Sequence, residues 1–190
     1  AAGSEMSNSS VITKEDEGLK RSCNTNLARA RFAIMNPELT VTLPDWQTQA
    51  GCTDIMMHTM ERYFTQGGNM EITDQIAEGL LRTVMKYAVI LHSQPDQYEA
   101  RAEIMWAGSL SHNDLTGLGA PKDFAPHQFG HELSAKFDVA HGASLSTMWG
   151  PWARYCMDTN PARFARYGRS VWGIGGASEI KTAQAAIEAT

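Results

Sequence analysis

The sequence predicts a mainly α protein, a helical bundle entered through an extended N-terminal arm. Two observations carry this: apolar residues recur at helical spacing after Pro44, and residues 1–44 lack that period. A third is the punctuation by Gly67-Gly68, Pro95, Gly117 and Gly119, which bound the first three helical runs.

Within residues 1–44, 7–10 form a polar cluster, 11–13 read as a short strand and 14–20 as a charged turn. Residues 30–35 read as a second extended stretch, ended by Asn36 and Pro37. Asp45 is expected to cap the first helix, on which Ile55, Met56, Thr59, Met60 and Tyr63 recur until Gly67 and Gly68 stop the run. A second helix is predicted over 72–92, with Ile76, Leu80, Val84, Tyr87 and Leu91 on one face and Pro95 beyond its end. A third, alanine-rich helix is predicted over 97–116, breaking at Gly117 and Gly119 into a loop over 117–126. Further helices are expected over 127–136, 143–155 and 161–172 and from 178 onward, with 173–176 as a glycine linker. The last run carries Ile180, Ala183 and Ile187 on one face with no Gly or Pro stop, and the chain opens without Met. The sequence therefore reads as the middle of something longer.

Composition narrows the function classes. With 190 residues and 43% hydrophobic content the chain can bury a core of its own. A net charge of -5 without any Lys/Arg run argues against a nucleic-acid or anionic-membrane partner. No apolar stretch has the length needed to cross a bilayer. Cys23, Cys52 and Cys156 are odd in number and widely spaced, which fits reduced thiols in a cytoplasmic protein. The ten methionines read as core fillers.

The histidines carry the chemistry. Asp54 and His58 sit four apart on a predicted helix, so their side chains share a face about one turn apart and can chelate one ion. His127, His131 and His141 cluster downstream in APHQFGHELSAKFDVAHGASL. One carboxylate with imidazoles suits Fe(II), Zn(II), Co(II) or Ni(II) and suits Mg or Ca poorly. Spacing alone leaves open a non-catalytic helical interaction module whose histidines are structural. His92 and His112 have no partner at metal-ligand spacing and read as helix-end or bundle histidines.

Three segments, GCTDIMMHTMERYF, GLGAPKDFAPHQFGHELSA and DVAHGASLSTMWGPW, together resemble the metal-binding signatures of the iron-containing (group III) alcohol dehydrogenases, most of all the NAD(P)H-dependent butanol dehydrogenase type. The resemblance implies that Asp54, His58, His127 and His141 are metal ligands and that His131 relays the alcohol proton beside the nicotinamide. It places Gly3, Ser4 and Lys20 near the cofactor, and puts Ser9 where other members have Asn. It further implies a helical metal-binding domain of the dehydroquinate synthase-like fold over 45–190, with 1–44 as the tail end of an α/β nucleotide-binding domain. The metal expected is Fe2+ first, with Zn2+ or Ni2+ as alternatives. The cofactor would be NAD or NADP, the substrate a small alcohol or aldehyde such as butanol or butyraldehyde, and the whole enzyme a homodimer. The family's GGGS phosphate-binding turn has no counterpart here, so the chain by itself is expected to bind metal with little dehydrogenase activity. Phe129 and Trp149 are candidates for an apolar substrate wall, with core packing the competing role. Glycerol dehydrogenase- and dehydroquinate synthase-like enzymes are the neighbouring alternatives.

Overall fold

The computed structural model describes residues 3–65, 68–176 and 178–190. Strands β1 (Ser9–Lys14) and β2 (Leu19–Asn24) form an antiparallel hairpin in which Ser9 faces Asn24 and Lys14 faces Leu19. The turn between them is a single 3-10 turn, Glu15–Glu17, closed by Gly18 at φ 60. The charged turn is thus shorter than the sequence suggested: Lys14 belongs to β1, and Leu19 and Lys20 belong to β2. The extended stretch expected over 30–35 has no regular structure. Asn36 closes it, its side chain accepting from the Glu38 N–H at the start of a 3-10 turn, Pro37–Thr40. Both hairpin strands are almost wholly exposed, so no buried face imposes a two-residue period on their sequence.

Seven α-helices follow among the described residues: α1 Asp45–Tyr63, α2 Glu71–Ser93, α3 Tyr98–His112, α4 Ala125–Phe137, α5 His141–Met157, α6 Pro161–Trp172 and α7 Glu179–Ala189. Asp45 proves to be the first residue of α1 rather than its cap. Its side chain accepts from Gln49 Nε2 and pairs with His92 Nδ1 at 2.9 Å. The expected stop at Gly67 lies outside the described residues. Helix α3 ends at His112, short of the predicted 116, because Asp114 at φ 71 turns the chain into the 3-10 turn Leu115–Gly117. Helices α4 and α5 each begin two residues earlier than predicted. Pro126 lies within the first turn of α4, where its missing N–H costs nothing. Asn160 and Ser178 cap α6 and α7 by accepting from the N–H of Arg163 and of Lys181.

Helix α1 packs against α2, α3, α4 and α5, and α6 pairs with α7. The main core joins the C-terminal half of α1 to α5, α6 and α7: Phe64 stacks on Phe164 at 4.3 Å, with Trp149 and Tyr167 around it. Truncating a buried aromatic of this kind to alanine costs about 3–5 kcal/mol. Beside this core Arg163 makes a paired bond to Asp74 and donates to the Tyr63 carbonyl at 2.7 Å, while Arg166 donates to Glu78 at 2.6 Å. Tyr63 Oη also donates to Glu78, at 2.8 Å. Among the described residues no helix is long and apolar enough to cross a membrane.

Candidate metal centre

Helix α1 passes through the site and supplies Asp54 and His58 one turn apart. Glu61, one turn further on and 1% exposed, reaches α4. One Glu61 oxygen accepts from the His127 backbone N–H at 2.9 Å, and the other accepts from the His127 ring at Nδ1. A carboxylate at a helix's first turn meets unpaired N–H groups and the positive end of the helix dipole. The same carboxylate fixes the His127 tautomer, leaving Nε2 to face α1. His141 is set by a backbone contact. A Cβ on Gly142 would stand 1.9 Å from the Ala50 carbonyl oxygen, so only glycine lets the first turn of α5 lie this close to α1.

These placements gather three imidazoles around one carboxylate oxygen. Asp54 Oδ1 stands 3.5 Å from His58 Nε2, 3.4 Å from His127 Nε2 and 3.7 Å from His141 Nε2. The two nitrogens of His58 and His127 are 3.1 Å apart. Donors held about 2.1 Å from one ion stand roughly 3.0–3.4 Å from each other at octahedral or tetrahedral angles. The spacing therefore suits a shared ion better than mutual hydrogen bonds. Asp54 Oδ1, His58 Nδ1 and His141 Nδ1 are all buried without a hydrogen-bond partner. Of these only Asp54 Oδ1 faces the converging Nε2 atoms, and a buried carboxylate oxygen left without a donor marks a place for a cation. One carboxylate and three imidazoles fit a borderline divalent metal.

The electrostatics leave most of the donors in their binding forms. Burial opposes charge on Asp54, but the imidazoles around it, His127 foremost, outweigh it and hold the carboxyl below the usual range. Burial, then the neighbouring His127 and His112, push His58 well below the usual imidazole value. Burial also outweighs Asp54 at His141, which is pushed down to about 4. His127 goes the other way. Against burial, the nearby Asp54 carboxylate and the bond to Glu61 lift it to about 9, so an arriving metal must displace its proton.

The other residues singled out from the sequence are spread around this cluster. His131 is 8% exposed and stacks on His141 at 5.2 Å, beside the four side chains rather than among them. Burial, then His127 and Lys20, lower its proton affinity. Lys20 is half-buried on β2, in the hairpin that packs on α4. Gly3 at φ 63 lines a cleft of about 480 Å³ together with Asp54, His141 and Gly108. Ser4 and Ser9 are exposed. Trp149 is a core residue, 5% exposed, and Phe129 is 55% exposed; neither lines that cleft.

Sequence reasoning passed over three residues here. Glu61 lies three after His58 and seven after Asp54, on the same face of α1, and that continuing polar stripe was the available signal. Arg62 donates from Nη1 to the carbonyls of His58 at 2.7 Å and Ser111 at 2.5 Å, tying α1 to the end of α3. His112, read as a bundle histidine, packs its ring 3.8 Å from that of His58.

Fold and site together define a helical domain able to hold a divalent metal. Residues 48–190 match the model of the Fe-containing alcohol dehydrogenase family, C-terminal, and the chain belongs to that family. It is 41% identical over 175 residues to NADH-dependent butanol dehydrogenase A of Clostridium acetobutylicum, covering 92% of this chain and 45% of that one. It is 34% identical over 190 residues to the NADPH-dependent aldehyde reductase YqhD of Escherichia coli, covering 100% and 49%. The crystal structure of Escherichia coli K-12 YqhD superposes with a TM-score of 0.96 at 34% identity, covering 100% of this chain and 48% of that one. The NADH-dependent butanol dehydrogenase A of Thermotoga maritima gives 0.93 at 35% identity, covering 99% and 48%. The chain spans about half the length of the curated relatives it matches.

Proposed function

We propose that this chain forms the metal-holding part of an NAD(P)(H)-dependent alcohol dehydrogenase and aldehyde reductase, acting on primary alcohols and aldehydes such as butanol and butyraldehyde. The observation that carries the reading is the convergence of His58, His127 and His141 on Asp54, whose buried Oδ1 at the centre has no hydrogen-bond partner. The printed activities of the butanol dehydrogenase and aldehyde reductase relatives supply the reaction class. In this proposal residues 45–190 are the metal-binding helical domain, and 1–44 border the nucleotide, with Gly3, Ser4 and Lys20 on the cofactor side. Fe2+ is the first metal to test, then Zn2+ and Ni2+, and the whole enzyme is proposed to work as a homodimer.

Asp54, His58, His127 and His141 would hold the ion, and Glu61 would keep the His127 ring turned toward it. When bound, the ion supplies Lewis-acid polarisation of the substrate oxygen and the nicotinamide supplies or takes the hydride. His131 sits next to His141 in a pocket that keeps its ring unprotonated near neutral pH. A free ring nitrogen there can hold the proton that leaves the alcohol oxygen, and return it in the reverse direction. The Lys20 charge beside it favours that neutral form.

The test is metal analysis of anaerobically purified protein, comparing the parent with His127→Ala and His141→Ala. About one ion per chain is expected in the parent, as for a site with one closed ligand set, and neither variant should keep it. Butyraldehyde-dependent oxidation of NADH and NADPH, assayed with the whole protein, should fall together with the metal. Equal metal content and equal melting in all three proteins would overturn the reading.

A further inference from the structure

Four of the chain's six histidines stand in or beside the proposed centre by their place in the sequence motifs; a fifth is brought there by the fold alone. His112 is the last residue of α3 and only 9% exposed. Its ring lies 3.8 Å from that of His58, and ligand atoms of Asp54, His58 and His112 all fall within 4.8 Å of one another. Donors on opposite sides of one ion stand about 4.2 Å apart, and this triad spans at most 4.8 Å, so a shift of a few tenths of an ångström suffices to seat all three on one ion.

The ring is also prepared as a ligand would be. Its Nδ1 lies 2.9 Å from the Gly108 carbonyl, which can only accept, and 2.8 Å from Ser111 Oγ, which donates to that same carbonyl, so the proton sits on Nδ1 and Nε2 keeps its lone pair. Anchoring one ring N–H on a carbonyl is the usual support for a metal-bound histidine. Two contacts hold the arrangement in place. Arg62 bonds the carbonyls of His58 and Ser111, and Gly3 covers the far edge of the ring, where a Cβ would stand 2.3 Å from His112 Nδ1.

We propose that His112 is a fifth donor to the ion held by Asp54, His58, His127 and His141. The inference rests on that centre being a metal site. A second ion is not required, because Asp54 is the one carboxylate common to both triads and could not offset two neighbouring dications. Five protein donors favour Fe(II), Co(II) or Ni(II), which accept five or six ligands, over zinc, which usually closes at four.

The experiment loads the whole protein with Co(II) and compares the parent with His112→Leu, His127→Ala and His92→Leu. X-ray absorption at the cobalt edge should count four imidazoles in the parent and three in His112→Leu, whose visible absorption should strengthen toward that of a four-coordinate ion. Competition with a chelator should show cobalt bound at least about tenfold more weakly by His112→Leu, since even an outer-shell change costs that much. His92 is exposed and pairs with Asp45, so His92→Leu should match the parent. Three imidazoles in the parent would overturn the proposal, and that count needs no variant to fold. Unchanged affinity and spectrum in His112→Leu would overturn it equally, leaving His112 as a ring that merely packs on His58. If His127→Ala also retained cobalt, the metal centre itself would fail. Loss there with parent-like affinity in His112→Leu would remove the fifth donor alone.

Discussion

Two buried polar networks hang on helix α1, and they are built to different ends. Around Tyr63, Asp74 and Glu78 of α2 face Arg163 and Arg166 of α6, and Glu71 adds a third carboxylate on Arg166. No buried atom of the Asp74, Glu78, Arg163 and Arg166 side chains lacks a partner. Around Asp54, a single carboxylate faces several imidazoles at distances too long for good hydrogen bonds, and orphaned atoms remain on Asp54, His58 and His141. The first network is closed: every group is satisfied by the chain itself, and its contribution is to bind α2 to α6. The second is open at Asp54 Oδ1, and there an ion is what would close it. Burial alone does not separate a structural network from a functional one; a central carboxylate oxygen left without a donor does.

The largest effect should come from breaking the closed network. Asp74→Ala leaves Arg163 buried without its carboxylate, and removing one partner of a buried pair costs about 3–5 kcal/mol. Denaturant unfolding should show that loss equally with and without metal. A smaller and purely metal-linked effect is expected from Glu61→Gln, which weakens the hold on the His127 ring. Ion affinity should fall about 10–100-fold, the usual range for a ligand's supporting carboxylate, measured by chelator competition. Unchanged affinity would mean that Glu61 serves α4 only as a cap.

The two networks should also differ in their response to pH. In the ion-free protein His127 holds its proton to about 9, above its ordinary value of 6.5. The stability this contributes is fully present below pH 6.5 and is lost as pH rises through about 9. His141, pushed to about 4, acts oppositely. Between about 4 and 6.5 the unfolded chain takes up a proton that the folded one refuses, so stability there rises with pH. The urea midpoint of the ion-free protein should therefore peak near pH 6.5 and decline on both sides. Ion binding at pH 7 to 8 should release a proton, visible as heat that depends on the buffer's ionisation enthalpy. A flat midpoint would show that the histidine cluster does not couple to folding.

The smallest expected difference concerns the thiols. Cys52, in the packed region behind the site, is pushed up to about 12 by burial, and so presents almost no thiolate at neutral pH. Cys23 is exposed on β2. Iodoacetamide should label Cys23 in the native protein and leave Cys52 unmodified until denaturant is added, as read by peptide mass mapping.

Much of the fold was legible because helices that bury one face write that face into the sequence. The run over Pro161–Trp172 was bounded correctly by Asn160-Pro161 and Gly173, which cap and stop it. Strand β2 was missed because neither of its faces is buried. At the site, Asp54 and His58 were visible as a pair because they are neighbours on one helix. Their order with His127 and His141 came from the resemblance, since loop geometry alone does not say which histidine returns to α1. Glu61 and His112 act through partners distant in the chain, Glu61 at His127 and His112 at His58, and local spacing does not record such contacts.

The central claim is that the open network is closed by a divalent ion. It is tested most directly by melting EDTA-treated protein with and without Fe(II) or Zn(II), alongside Asp54→Ala and Asp74→Asn. At an ion concentration about a hundred times Kd, the parent should gain about 2.7 kcal/mol and melt higher. Asp74→Asn should start lower and gain a similar increment, while Asp54→Ala should not respond. A parent that ignores the ion, or an Asp54→Ala variant stabilised as much as the parent, would contradict the account.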